Sequence, residues 1–175
     1  IVSIITTTGY VSANYVSWGN SLTMLFFVLM FLGACAGSTS GGIKLIRHLV
    51  FFKNSFLEFK RILHPRAVIP LKLNGQVVTG RILTHIIIFL LLYLILFVTG
   101  SIIVAAFGLD FTTAVGAVAT SLGNVGPGIG KVGPVDNFVW LSAPVKLFLS
   151  FLMLIGRLEL FTILVLFTPY FWKSN

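Results

Sequence analysis

Long apolar segments, separated by short polar or glycine-rich ones, run through the whole chain. Residues 82–107 form a nearly uninterrupted apolar segment of roughly two dozen residues, enough to cross a bilayer with some tilt. Residues 18–34 and 139–172 predict two further membrane helices, and residues 43–59 resume helical spacing after an interruption. The pattern therefore predicts an all-α membrane protein with several spans.

Two polar, glycine-bearing loops interrupt this pattern. The first loop is residues 6–10, Thr-Thr-Thr-Gly-Tyr, and the second loop is residues 123–128, Gly-Asn-Val-Gly-Pro-Gly. The apolar residues 111–121 precede the second loop and are too few for a bilayer span of about twenty residues, so they predict a re-entrant pore helix. Only residues 1–5 precede the first loop, so the chain is expected to begin inside the matching helix, as a fragment or an internal start. Two related repeats, one truncated, are predicted.

The composition of the first loop is typical of a site at which backbone carbonyls bind a cation. In a membrane, backbone carbonyls without N–H partners are tolerated only where they line a cavity, and an extended Thr-x-x-Gly run points such carbonyls inward. Gly9 permits the unusual φ values that aim several carbonyls at one axis. The alternative is a threonine-rich loop at a helix end.

A glycine-rich segment, residues 33–42, predicts a break inside the membrane, because it holds four glycines and three hydroxyl residues. One interpretation is a set of small-xxx-small packing pairs. A phosphate loop is excluded, because Ile43 and Lys44 follow the last glycine where lysine and then serine or threonine are required. The third interpretation is a movable plug beneath a cation filter formed by the two loops.

Arg157 lies near the middle of the last predicted helix. An arginine there costs at least ~2.5–3.5 kcal/mol, so it is expected to face water or protein. Counting from the tryptophans or from the loop glycines sets Arg157 level with the glycine-rich segment, whose hydroxyls it could meet. Below a cation filter its charge would act as a barrier. The alternative is a structural pairing with Glu159 or with free carbonyls of the segment.

The charge and the composition limit the classes of protein to which this chain can belong. The chain is 57% hydrophobic and 9% charged, outside the range of soluble proteins. The net charge is +8, and eight of the twelve Lys and Arg residues lie between Lys44 and Arg81, beside membrane segments. This asymmetry is typical of cytoplasmic loops and predicts a plasma-membrane protein. No nucleic-acid-binding motif accompanies the basic residues, so no nucleic acid is expected as a partner.

The basic region also divides the chain. Residues 71–78 place Asn74-Gly75 between alternating apolar residues, which predicts a cytoplasmic hairpin, either a docking surface or an ordinary connector. We therefore divide the chain into 1–62, the end of one repeat, 63–80, the connector, and 81–175, a complete repeat.

No catalytic constellation is evident, so an enzyme is not expected. The chain has four acidic residues, and His48, His64 and His85 are scattered without ligand spacing. Cys35 is the single cysteine and forms no internal disulfide. No cofactor is expected.

Several motifs together resemble one known family. They are Thr6-Thr-Thr-Gly9, Gly33-Ala-Cys-Ala-Gly-Ser-Thr-Ser-Gly-Gly-Ile-Lys44, Leu63-His64-Pro65, Gly126-Pro127-Gly128, Gly156-Arg157-Leu158-Glu159 and Phe167-Thr-Pro169. Nearly end to end, the chain is similar to the TrkH family, membrane subunits of bacterial Trk potassium uptake systems in the Trk/Ktr/HKT superfamily. The resemblance implies a pseudo-fourfold, potassium-channel-like pore of four helix–pore helix–filter loop–helix repeats, of which this chain would be the last two.

The resemblance also implies roles for particular residues. The potassium filter would consist of Thr6, Thr7, Thr8, Gly9, Leu122, Gly123, Asn124, Val125 and Gly126, with the carbonyls of Thr7, Thr8, Asn124 and Val125 on the ion. The gate would consist of Gly37, Ser38, Thr39, Ser40, Gly41, Gly42 and Arg157. The second loop departs from Thr-x-x-Gly, because Asn124 stands where a threonine is expected.

The function so implied is potassium uptake across the bacterial inner membrane, with K⁺ as the transported ion. A cytoplasmic TrkA-type nucleotide-binding ring and a second copy of the subunit are the implied partners. Three alternatives remain open: a Ktr-type subunit with sodium-dependent transport, a non-conducting scaffold, and a secondary transporter with a discontinuous helix that binds an anionic solute.

Overall fold

The computed structural model describes residues 1–35, 37–38, 40–67, 69–158, 160–166 and 169–172. Helices dominate this part of the chain. In order, the elements are α1 (Val2–Ile5), a 3₁₀ turn (Tyr15–Trp18), α2 (Asn20–Leu29), β1 (Leu32–Gly33), β2 (Ile43–Lys44), α3 (Leu45–Leu63), β3 (Lys72–Leu73), β4 (Gln76–Val77), α4 (Gly80–Ala106), α5 (Phe111–Gly123), a second 3₁₀ turn (Gly130–Val132), α6 (Ala143–Arg157), α7 (Leu160–Leu166) and α8 (Pro169–Trp172).

Helix α4 confirms the long apolar span predicted for residues 82–107, and it begins two residues earlier, at Gly80. Its 27 residues make it the one helix in the described part of the chain that is long and apolar enough to cross a membrane. At 1.5 Å per residue it is about 40 Å long, which exceeds the roughly 30 Å hydrocarbon thickness of a bilayer.

Two of the predicted helices are shorter than expected. The helix predicted for residues 18–34 is replaced by the 3₁₀ turn and by α2, which ends at Leu29. The helix predicted for residues 139–172 is wrong as a single element, because α6 ends at Arg157 and α7 begins at Leu160. Apolar residues continue past the end of α2 to Leu32, so the apolar pattern does not mark that break, whereas α6 ends at the glycine and arginine of Gly156-Arg157.

The short helix α5 lies at the centre of the fold, packed against α4 and α6. Thr113, Ala114 and residues 116–123 are all buried, and this helix consists largely of Ala, Gly, Ser, Thr and Val. Small side chains let neighbouring backbones approach closely inside a membrane. The main core forms around it from residues of α4, α5 and α6, including Val104, Val118, Leu122, Val145 and Leu152.

Asp110 begins α5 as its N-cap. Its carboxylate accepts hydrogen bonds from the backbone N–H of Thr113 at 3.2 Å and from the Thr113 hydroxyl at 2.9 Å, and Lys131 Nζ lies 3.7 Å from it. Partial burial acts to raise the pKa of Asp110, but the Thr113 hydrogen bonds and the Lys131 charge hold it below its usual range. The start of the short helix is thereby fixed.

The predicted hairpin is confirmed. Lys72 pairs with Val77 and Leu73 with Gln76 in antiparallel register. The two turn residues both have positive φ, 48° at Asn74 and 81° at Gly75, as a two-residue type I′ turn requires.

The burial of α5 predicts that Gly116→Ala destabilises the protein. A Cβ at Gly116 would lie 2.6 Å from Ile129 Cγ1 and 2.7 Å from Ile129 O, so α5 or the loop must move. We expect the free energy of unfolding to fall by about 1–3 kcal/mol, the usual cost of overpacking. The measurement is the unfolding temperature of the purified protein in detergent.

Gly80→Ala is the matched control, because a Cβ at Gly80 meets nothing within 4 Å. Equal unfolding temperatures for the two variants would contradict the packing argument.

Candidate functional site

The two loops contact each other through their backbones, although Gly9 and Gly126 are 117 residues apart in the sequence. A Cβ built on Gly126 would lie 3.7 Å from the Cα of Gly9. A Cβ built on Gly9 would lie only 2.6 Å from the carbonyl oxygen of Val125. Gly9 therefore leaves no room for a side chain, and the structure brings the two loops predicted from the sequence into direct contact.

Both loops leave their helices through the same pair of backbone hydrogen bonds, one reaching back five residues and one reaching back three. The donor and acceptor pairs are Thr8 N to Ser3 O and Thr7 N to Ile4 O for the first loop, and Val125 N to Thr120 O and Asn124 N to Ser121 O for the second. This pattern is a Schellman-type helix end with a left-handed residue. The two loops therefore correspond position for position, with Asn124 in the place of Thr7.

The backbone dihedrals repeat as well. Thr7 and Asn124 have φ of 54° and 53°, and two residues later Gly9 and Gly126 have φ of 81° and 107°. A positive φ is uncommon for a β-branched residue such as Thr7, and such conformations cluster at functional sites. The Thr6 hydroxyl supports this loop, since it donates to Val2 O and lies 2.8 Å from the Thr8 hydroxyl.

Tyr15 and Thr120 hold the second loop in place, and sequence reasoning missed both. The Tyr15 hydroxyl donates to Gly128 O at 2.6 Å, and its ring stacks on Phe26 with centroids 4.4 Å apart. The Thr120 hydroxyl accepts a hydrogen bond from Gly126 N at 3.0 Å. A tyrosine five residues past the first loop and a threonine inside an apolar helix gave no distinctive signal in the sequence.

The glycine-rich segment is closed at its base by a short parallel bridge. Strand β1 pairs with β2, Leu32 with Ile43 and Gly33 with Lys44. A Cβ on Gly33 would lie 2.8 Å from Ile43 O, so this glycine allows the bridge to form. The predicted break inside the helical region is confirmed, and it begins just after Leu29.

The side chain of Lys44 stabilises the glycine-rich segment through hydrogen bonds to its backbone. Its Nζ donates to the carbonyl of Ser38 at 2.5 Å and to that of Ser40 at 2.7 Å, and the residue is 9% exposed. The Ser38 hydroxyl accepts from Ser40 N, and the Ser40 hydroxyl accepts from Ala34 N. The sequence pattern identified Lys44 only as one of the basic residues on the cytoplasmic side, so the contact of its side chain with the segment was missed. Thr39 lies outside the described residues.

The glycine-rich segment also contacts the second loop. A Cβ on Gly41 would lie 2.7 Å from Gly123 O and 2.7 Å from Asn124 Cβ. A Cβ on Gly42 would lie 3.6 Å from the Cα of Gly123. The segment is therefore seated on the second loop, against the backbone of Gly123 and the side chain of Asn124.

Arg157 ends α6 and is exposed. Its neighbour Gly156 packs against Leu122 O, and Cβ atoms built on Gly156 and on Gly41 would each lie 2.9 Å from Asn124 Nδ2. The end of α6 and the glycine-rich segment thus both contact the side chain of Asn124, and the equal depth of Arg157 and the segment stays a prediction.

A second prediction for Arg157 was a contact between its side chain and the hydroxyl groups of the segment. Among the described residues, the structure shows no hydrogen bond from the Arg157 side chain to Ser38 or Ser40, whose hydroxyls accept from backbone N–H groups. Glu159, the alternative partner, lies outside the described residues, as do Phe167 and Thr168 of the last motif.

A cavity of about 230 Å³ opens beside the second loop. Polar groups from α5 and α6 face it together with the exposed backbone of Gly126. Its lining combines these polar groups with a larger apolar surface, and its residues are Thr120, Ser121, Gly126, Phe138, Lys146, Leu149, Ser150 and Met153. The hydroxyl groups and the bare peptide backbone in this lining are groups that can contact a hydrated cation.

Comparison with known proteins identifies a family and several relatives whose sequences match this chain. The family described as "TrkH: Cation transport protein" matches residues 1–174. The chain is 41% identical over 174 residues to the Trk system potassium uptake protein TrkH of Escherichia coli K12, and 40% identical over 175 residues to TrkI of Halomonas elongata. Each match covers 99% of this chain and 36% of the relative.

A solved structure agrees as well. The crystal structure of the potassium transporter TrkH from Vibrio parahaemolyticus superposes with a TM-score of 0.90 at 40% identity, over 98% of this chain and 36% of that one. The chain thus spans about a third of the length of the relatives it matches. On the matched residues and the shared fold, the chain belongs to the TrkH family of cation transport proteins.

Proposed function

We propose that this chain forms part of a potassium uptake pathway in the bacterial inner membrane, where its family is a multi-pass membrane protein. The observation that carries the proposal is the backbone contact between two loops of identical hydrogen-bond pattern. The names of the relatives, potassium uptake proteins, support potassium as the ion.

The filter in this proposal consists of Thr6, Thr7, Thr8, Gly9, Leu122, Gly123, Asn124, Val125 and Gly126. A potassium ion sheds its water only where oxygens replace that water, and the carbonyls of Thr7, Thr8, Asn124 and Val125 take this part. The positive φ values at matching positions support it, because a change in the sign of φ reorients the peptide group relative to its neighbours. We assign half of a pseudo-fourfold pore to these residues.

The gate in this proposal is residues 37–42 together with Arg157. The seating of Gly41 and Gly42 on Gly123 supports a role in closing the pathway next to the second loop. A positive charge at the end of α6 repels a cation that leaves the filter. We add Lys44 to the gate, because it donates hydrogen bonds to two carbonyls of the segment.

The partners in this proposal are a cytoplasmic TrkA-type nucleotide-binding ring and a second copy of the subunit. The basic residues of α3 and of the hairpin connector, with the exposed Arg66 and Lys72, suit the cytoplasmic side. A Ktr-type, sodium-dependent mechanism is distinguished by whether potassium uptake requires external sodium.

Gly9→Ala is expected to abolish potassium uptake. The added Cβ would displace the Val125 carbonyl, 2.6 Å away, from the filter. The measurement is growth at low potassium of an uptake-deficient bacterium that expresses the natural gene product in full.

Gly19→Ala is the matched control for this change. Its φ of 104° also favours glycine, with a strain of about 1–3 kcal/mol for alanine, but a Cβ there meets nothing within 4 Å. Growth with Gly9→Ala equal to growth with Gly19→Ala would refute the filter assignment.

Arg157→Ala is expected to raise rubidium flux about fivefold, because a unit charge about 4 Å from the ion in a water-like medium contributes roughly 1 kcal/mol. Flux is measured in proteoliposomes at equal protein content. Arg81→Ala, at an exposed arginine in the first turn of α4, is the control. Unchanged or lower flux in a well-folded Arg157→Ala protein would count against the barrier.

Lys44→Met is expected to lower the free energy of unfolding by about 1.5–3 kcal/mol, because the carbonyls of Ser38 and Ser40 lose a charged donor. Thermal unfolding in detergent measures the change. Lys53→Met on the exposed face of α3 is the matched control, because it removes the same charge without loss of the hydrogen bonds to Ser38 and Ser40. An equal change in the free energy of unfolding for both variants would contradict the stabilising role of Lys44.

A further inference from the structure

Asn124 lies where three parts of the structure meet. It ends α5 in the left-handed conformation, with φ 53° and ψ 38°. Its side chain faces the glycine-rich segment on one side and α6 on the other. The family resemblance assigned only its backbone carbonyl, so the side chain is unexplained by the proposed function.

The side-chain amide fixes the end of α6. Asn124 Nδ2 donates to the carbonyl of Met153 at 3.1 Å. Gly156, one turn further along α6, leaves a space in which a Cβ would lie 2.9 Å from the same Nδ2. The amide therefore occupies a site that the lack of a side chain at Gly156 provides, next to Arg157.

The same side chain limits the movement of the glycine-rich segment. A Cβ on Gly41 would lie 2.7 Å from Asn124 Cβ and 2.9 Å from Asn124 Nδ2. The carbonyl of Gly41 in turn lies close to Gly33, where a Cβ would be 2.9 Å away. Because protein interiors are close-packed, Gly41 cannot move toward the second loop without moving Asn124.

Movement of Asn124 reaches the second loop directly, because the side chain and the proposed filter carbonyl belong to one residue. Asparagine tolerates the left-handed conformation better than most residues, and the Met153 hydrogen bond holds its side chain in one orientation. Release of that side chain removes one constraint on the peptide between Asn124 and Val125 and leaves the hydrogen bond from Val125 N to Thr120 O as the other.

We infer that Asn124 is a positioning residue that couples the filter to the gate, so that ion selectivity and gate closure depend on the same side chain. This inference rests on the proposed function. Its physical basis is the single side chain shared by the second loop, the glycine-rich segment and α6.

Asn124→Gly tests the coupling, because it keeps the left-handed backbone and removes the side chain. Asn74→Gly is the matched control, since Asn74 has φ 48° and lies in the exposed hairpin turn. The full natural gene product is reconstituted into proteoliposomes without a cytoplasmic partner. Uptake of radioactive rubidium and of radioactive sodium is measured in parallel.

We expect Asn124→Gly to raise rubidium uptake about tenfold and to lower the rubidium-to-sodium uptake ratio about tenfold, the factor that corresponds to one lost hydrogen bond. Asn74→Gly is expected to change each quantity less than about twofold, as for a surface substitution. A change in uptake alone, a change in the ratio alone, or no difference from Asn74→Gly overturns the coupling.

Cys35 gives a readout that does not depend on transport. It is exposed, lies in the glycine-rich segment and is the single cysteine of the 175 residues. Its alkylation rate, followed on the peptide that contains it, reports the mobility of the segment. We expect the rate to rise about tenfold in Asn124→Gly, by the same hydrogen-bond factor. An unchanged rate overturns the coupling.

Asn124→Asp keeps the shape of the side chain but replaces the donor to Met153 O with an acceptor, so it covers the case in which Asn124→Gly does not fold. The same rise in Cys35 alkylation is expected, and its absence overturns the inference. If the unmodified protein passes neither cation, the proposed function fails, and the alkylation rates still decide whether Asn124 holds the segment.

Discussion

Close contact between bare backbones is the interaction on which this structure depends. Gly9 lies against the Val125 carbonyl, Gly41 lies against the Gly123 carbonyl, and Gly156 lies against the Leu122 carbonyl. Each contact removes a side chain from a place where two peptide groups must approach. The three contacts converge on residues 122–126, so the first loop, the glycine-rich segment and α6 are all positioned by the same short stretch of chain.

Exposed peptide groups are costly in a membrane, and the structure satisfies them with a few side chains. Lys44 binds the carbonyls of Ser38 and Ser40, Thr120 accepts from Gly126 N, and Tyr15 donates to Gly128 O. These residues come from different elements. The side chain of each one supplies a hydrogen bond that the irregular backbone does not make with itself. Irregular backbone at this depth therefore persists because the surrounding helices supply its partners.

Much of the fold could be predicted from local patterns. The length of the apolar run predicted α4, the shortness of residues 111–121 predicted α5, and Asn74-Gly75 predicted the hairpin. The end of α2 could not be predicted from the apolar pattern, because apolar residues continue to Leu32. The end of α6 could not be predicted either, because Gly156 there meets the carbonyl of Leu122, which is distant in the sequence. The inward direction of Lys44 and the side-chain contacts of Asn124 are likewise properties of the assembled structure, since each joins segments that the sequence separates.

The burial of α5 has a consequence for biogenesis. Its 13 residues reach about 20 Å at 1.5 Å per residue, too little to be retained in a bilayer as an independent span. Nearly all of its surface is covered by α4, α6 and the two loops, so it gains its apolar contacts only after those helices are in place. In the chain, α5 lies between α4 and α6, the two helices against which it packs. Retention of this short helix in the membrane therefore depends on its two neighbouring helices rather than on its own length.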